Sequence, residues 1–178
     1  EPQKKYFDLH NIKEKDYENF NVTSKQEVEC DTLSNLLEGL KIKNLDYLKI
    51  DTQGSELEII KGIGDFRPLL IRIEAHIFSM YKNAPSWHEI LNYLHNLNYV
   101  SIDWKAIGGH CTRIPAEMDM IFVPNFDNEI GQNLIKNSKE KFISLMLIFG
   151  QLSILKIILK RLNINYSEIK KFEDLYFN

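Results

Sequence analysis

The stretch Y-L-K-I-D-T-Q-G-S-E-L-E-I-I-K-G, residues 47–62, decides how the chain is read. A short apolar run ends on Asp51, a Thr-Gln-Gly turn follows, and a helical pattern begins at Ser55. Strand, turn and helix in so few residues form the opening half of a β-α-β unit. Ser55 and Glu58 have the spacing of a capping box, and Gly62 stands where the helix should stop. Ligands of open α/β sheets bind outside the carboxyl ends of the strands. Asp51 occupies such a position.

The flanking sequence continues the pattern. Upstream, Leu33, Leu36, Leu37 and Leu40 mark one face of a short helix that Asp31 or Thr32 can cap. Downstream, residues 67–77 read as a strand with Pro68 at its start. Residues 86–99 then read as a helix opened by a second capping box, Ser86 with Glu89. Residues 99–104 and 118–124 give two more strands joined by a long loop. The first 30 residues are polar and read as loop with one short strand at 26–30. Strands that alternate with helices build a parallel sheet with right-handed crossovers. The missing helix between the last two strands predicts an antiparallel hairpin at the sheet edge. The fold class is therefore α/β, a mostly parallel sheet with an antiparallel last strand. Residues 1–125 form the sheet domain and 126–178 a helical extension.

Composition excludes several classes. The 178 residues carry a net charge of −3, so no basic field calls for nucleic acid. Cys30 and Cys111 lie far apart, which argues against a disulfide framework or structural zinc and for a reducing cytoplasmic setting. Residues 142–159 are strongly apolar but are broken by Gly150, Gln151, Ser153 and Lys156. They read as two short helices meeting near Gly150 and packed on a core, rather than as a membrane span.

Parallel strands bring Asp51, then Glu74 with His76, then Asp103 with Trp104 to one edge. Two carboxylates and an imidazole there suit proton abstraction, a divalent metal, or recognition of hydroxyl and amino groups. Polar residues also surface at strand ends for no functional reason. Gln53 can bind a ligand or merely fill the turn. Glu56 stands on the first helical turn beside the crevice. His110 and Arg113 lie on the long loop after the third strand, within reach of a substrate at that edge. No G-x-G-x-x-G follows a strand and no P-loop is present. No tight ligand spacing supports a metal between Asp51 and Glu74.

The residues V-E-C-D-T-L-S-N-L-L at 28–37, L-D-Y-L-K-I-D-T-Q-G-S-E-L-E-I-I-K-G at 45–62, the strand closed by Glu74 and M-D-M-I-F-V at 118–123 together resemble the FkbM family of S-adenosylmethionine-dependent methyltransferases. Thr32-Leu33, Asp46, Leu48 to Asp51, Gln53-Gly54, Glu56 and Gly62 match the family's central pattern. Ser34 departs from it, since Asp is usual there, and Glu is also common at the position of Gln53. The resemblance implies a Rossmann-like fold of which this chain supplies the later strands and the antiparallel hairpin. It implies an enzyme that methylates hydroxyl groups of sugars or natural products. It carries Asp51, Gln53, Gly54, Glu56 and Glu74 over as site residues. Asp51, Gln53 and Gly54 are expected on the cofactor side. Asp51, Glu74 and His76 are expected at the chemistry, and Glu56, His110 and Arg113 beside a small-molecule or glycan acceptor. The Gly-rich cofactor loop and the ribose-binding carboxylate belong to earlier strands, so the isolated chain is expected to be inactive. The competing expectation is a non-catalytic scaffold or subunit-interface module. In either case the C-terminal helices are a possible surface for a homo-oligomer.

Overall fold

The computed structural model describes residues 3–9, 12–107 and 115–165. A helix α1 (Lys4–Leu9) and a 3-10 helix (Glu14–Phe20) precede α2 (Leu33–Gly39). The central units follow as β1 (Tyr47–Ile50), α3 (Glu56–Lys61), β2 (Leu70–His76), α4 (Trp87–Asn96), β3 (Tyr99–Ile107) and β4 (Glu117–Pro124). Three helices close the described chain: α5 (Glu129–Asn137), α6 (Lys139–Ile148) and α7 (Leu152–Arg161).

The sheet order is β1-β2-β4-β3. β1 pairs with β2 in parallel, and β4 pairs antiparallel with both β2 and β3. Thus β1, β2 and β3 point one way and β4 the other. The hairpin expected at the edge is present, but its second strand is inserted inside the sheet and β3 forms the edge. Side-chain character explains the insertion. β4 is buried along nearly its whole length, whereas β3 becomes exposed beyond its first residues. A strand apolar on both faces belongs in the interior, and a polar strand tolerates the edge. A register shift between Ser101 and Asp103 bends β3.

The two faces of the sheet carry different cores. Ile71, Ile73, Ala75, Met118, Met120 and Phe122 point toward α3 and α4, where they meet Ile60, Ile90 and Leu94. On the other face Leu70, Ile121 and Val123 lie under Phe142 of α6 and Leu155, Ile158 and Leu159 of α7. Residues 142–159 are thus two helices separated by a turn in which Gly150 takes φ 70°. Among the described residues no helix is long and apolar enough to cross a membrane.

Local signals were realised unevenly. Thr32 caps α2 by accepting the Asn35 amide at 3.2 Å, and the Ser86–Glu89 capping box forms on α4. The Ser55–Glu58 box does not form. Ser55 makes no side-chain cap, and Glu58 instead accepts from Lys61 at 2.7 Å. Residues 26–30 form no strand, because no neighbouring strand pairs with them and Val28 stays exposed. The polar N-terminus gains its helices from docking. Tyr6 and Phe7 are buried with Met80 and Ala116, and Phe7 stacks on Tyr17 at 4.6 Å.

Candidate active site on the polar half of the sheet

Leu70, Arg72, Glu74 and His76 alternate onto one face of β2, and only Leu70 lies under the C-terminal helices. The register aligns Lys49 with Arg72, Glu74 with Asp119, and His76 with Glu117. The upper half of this face is therefore a field of charged and imidazole groups beside a fully apolar lower half. Arg72 and Asp119 form a forked ion pair in which Nε donates to both carboxylate oxygens at 2.9 Å.

The turn after β1 brings the motif residues together. Lys49 donates to Asp51 at 2.7 Å. The Gln53 side-chain amide donates to Asp51 Oδ1 at 3.5 Å and to Glu74 Oε1 at 2.5 Å, so one side chain joins the residue just after β1 to one inside β2. Gln53 reaches them from a left-handed backbone with φ 57°, a conformation uncommon for a residue with a Cβ. Gly54 follows with φ 130°, which only glycine adopts readily. A Cβ on Gly54 would approach Ala84 only to an ordinary 3.4 Å. The torsion, not close approach by a neighbour, thus makes glycine necessary there.

Glu56 holds this geometry. It is 1% exposed. Its carboxylate accepts from the Thr52 amide and hydroxyl at 3.1 Å each and from the Gly54 amide at 3.0 Å. The side chain points inward beneath the turn, not outward into the crevice. It pins the turn ahead of α3 and does not replace the helix cap expected from Ser55 and Glu58.

The carboxyl groups differ in electrostatic setting. The Lys49 ammonium holds the Asp51 carboxyl below its ordinary range, against a smaller opposing effect of burial. Burial raises Glu74, and the nearby Glu117 and Asp51 charges push the same way. The adjacent His76 holds Glu117 low. Burial pulls the His76 imidazole down, but Glu117 and the other carboxylates around it outweigh that and leave it raised.

Two further placements correct the strand-end reading. β3 runs on to Ile107, so Asp103 and Trp104 are interior to the strand, and Asp103 accepts from Gln151 at 2.6 Å. Glu74 also lies inside its strand, two residues before the end, and reaches the crevice through Gln53. His76 is 1% exposed, beneath Glu117 and α1. His110 and Arg113 lie outside the described residues. Glu117 was missed by sequence reasoning. Its signal was the E-x-H alternation on β2 set against the first residue of the antiparallel return strand.

Two depressions lie away from these residues. On the opposite face of the sheet, a pocket of about 280 Å³ is lined by Ile77, Trp87, Trp104, Ala106, Pro115 and Met118. A larger one of about 410 Å³ opens at the amino-terminal edge near Asp46, Asp65 and Arg67, away from the motif residues.

The family model for the FkbM methyltransferase domain matches residues 3–101, more than half of the 178-residue chain. The match includes Asp51, Gln53, Gly54, Glu56, Glu74 and His76, and ends before Glu117. No curated protein and no solved structure gives a significant match. Because the family-model match spans more than half of its residues, the chain belongs to the FkbM methyltransferase family.

Proposed function

We propose that the chain takes part in S-adenosylmethionine-dependent O-methylation of a hydroxyl group on a sugar or natural product. The observation that carries this reading is the Gln53 amide bridging Asp51 and Glu74 at adjacent parallel strands. S-adenosylmethionine is positively charged at its sulfur and its amino group, and the carboxylates of this edge complement such charge. Asp51, Gln53 and the backbone of Gly54 are the residues that would hold it. When bound it supplies the methyl group.

The chain's own residues then have separable tasks. Gln53 fixes the two carboxylates relative to each other. Alignment of an acceptor oxygen is commonly the larger share of such a rate gain. Asp51 and Glu74 accept hydrogen bonds from hydroxyl groups, and Glu74, raised by burial, is the better proton acceptor of the two. His76, closed off from solvent, acts behind Glu74 and does not meet the acceptor itself. Glu56 serves the acceptor side indirectly, by holding the turn. His110 and Arg113 keep the acceptor-binding role expected from their place on the loop after the third strand.

Labelled-methyl transfer to a panel of hydroxylated sugars and natural products tests the proposal. In a longer form that also carries the Gly-rich cofactor loop, Asp51→Asn should lower transfer by about 100-fold or more with an unchanged melting temperature. Near-normal turnover of that variant would remove Asp51 from the reaction.

A further inference from the structure

Glu74, His76 and Glu117 form a cluster that the methyl-transfer reading does not need as a unit. His76 sits directly opposite Glu117 across an antiparallel pair, and Glu74 precedes His76 by one pleat on the same face. One ligand atom from each residue lies within 4.8 Å of the other two. The set is compact and mostly closed, with Glu117 8% exposed and His76 1%.

The imidazole is the telling member. Neither His76 ring nitrogen has a hydrogen-bond partner, although buried polar groups are nearly always satisfied. Its Nδ1 faces Glu117 Oε1 at 3.4 Å, within ion-pair range but without hydrogen-bond alignment. Ligand atoms bound tetrahedrally at about 2.1 Å from one ion stand about 3.4 Å apart. The His76–Glu117 spacing fits two ligands sharing a cation as well as it fits an ion pair.

The surroundings fit the same account. Glu117 Oε1 accepts from the Tyr6 hydroxyl at 3.0 Å, and Glu74 Oε1 accepts from Gln53. Such outer donors orient carboxylate ligands and are part of most metal sites. The nearby cations are already engaged, Arg72 by Asp119 and Lys49 by Asp51. Two carboxylates thus face one another across an imidazole, with negative charge to be balanced.

We propose that Glu74, His76 and Glu117 are the protein ligands of a first-row divalent transition-metal site, with Zn²⁺ its best occupant. One imidazole nitrogen with two carboxylate oxygens is a donor set that zinc takes readily. Magnesium and calcium prefer oxygen ligands in larger number, so the imidazole speaks against them. Three protein ligands leave a coordination position open to water or to a bound hydroxyl. The site shares Glu74 and His76 with the methyl-transfer reading, and a bound metal would take Glu74 out of the role of free proton acceptor, but metal binding is measured with no turnover and so is tested separately.

The test is titration of the chelator-stripped protein with Zn²⁺ by calorimetry, together with Co²⁺ titration followed by visible absorption. One ion per chain is expected, with the d–d band of a four-coordinate cobalt centre. Glu117→Gln keeps the side-chain volume and should weaken binding by at least about tenfold. Tyr6→Phe removes only the outer donor and should weaken it by about tenfold with the fold intact, which covers the case in which Glu117→Gln unfolds. Asp46→Asn, in an exposed ion pair with Lys141 elsewhere, should leave binding unchanged. Failure of the wild-type protein to bind one equivalent would overturn the proposal. So would several weak sites insensitive to Glu117→Gln and Tyr6→Phe, and so would an Asp46→Asn loss equal to theirs.

Discussion

Replacing Glu56 probes the turn most directly, because one buried carboxylate serves three donors. In Glu56→Ala the Thr52 hydroxyl can rotate to water, so its loss is small. The Thr52 and Gly54 amides cannot rotate, and each buried N–H left unpaired costs about 1–3 kcal/mol. The turn is partly open to solvent, which places both near the lower end, for a sum of about 2–4 kcal/mol. Glu56→Gln keeps the volume and one acceptor oxygen and loses the charge, so about 1 kcal/mol is expected. With a urea slope of about 2 kcal/mol per molar, the unfolding midpoint should fall by about 1–2 M for alanine and about 0.5 M for glutamine. Trp87 and Trp104 supply the fluorescence signal, and circular dichroism an independent one. A midpoint shift under about 0.3 M for Glu56→Ala would mean that water satisfies the turn amides as well as Glu56 does. The account of how Gln53 is held would then be wrong.

Two other outcomes follow from features away from that turn. A helical Gly→Ala change normally stabilises by about 1 kcal/mol, but a Cβ on Gly131 would lie 2.2 Å from the Asn125 carbonyl oxygen. Gly131→Ala should therefore cost at least about 3 kcal/mol and lower the melting temperature by about 6–12 °C, and a rise in that temperature would refute the contact. The Glu89 carboxyl is held below its ordinary range by the Ser86 hydroxyl and amide. A depressed folded pKa gives stability that is present above the unfolded value near 4.3 and is lost as pH falls through the folded one. The difference in urea midpoint between the protein and Glu89→Gln should then be seen at pH 7 and shrink below about pH 4. A difference that stays constant from pH 7 to pH 3 would show that the carboxylate charge contributes nothing to the cap.

The sequence was most legible where local chemistry and tertiary packing agree. The strand-turn-helix at residues 47–62, the Ser86 cap and the break at Gly150 could all be read from spacing alone. Strand order could not. The insertion of β4 between β2 and β3 depends on comparing the burial demands of two strands far from their partners. The inward turn of Glu56 was hidden because S-x-x-E is a stronger local pattern than a carboxylate folding back beneath its own turn. Of the candidate site, Asp51, Gln53 and Glu74 were visible and do meet. Glu117 was not, since cross-strand register decides that it faces His76. The N-terminal helices were missed because Tyr6 and Phe7 show no periodicity and order only against residues far along the chain.

That distant docking of α1 has a kinetic side. Tyr6 reaches Glu117, 111 residues away, and the Gln3 side chain reaches Ser79 and Tyr81. Closing loops of that length yields little until the strands they join are already paired, so α1 assembles late. By the same reasoning it is the part released with least disruption, since its cluster is small and separate from the two sheet cores. Native-state amide exchange should show the Gln3 and Tyr6 amides opening well below the free energy at which β4 opens. Each such opening lifts the Tyr6 hydroxyl from Glu117 and exposes the otherwise sealed imidazole of His76. Entry to that buried corner is then governed by the fraying rate of one short helix, not by unfolding of the sheet.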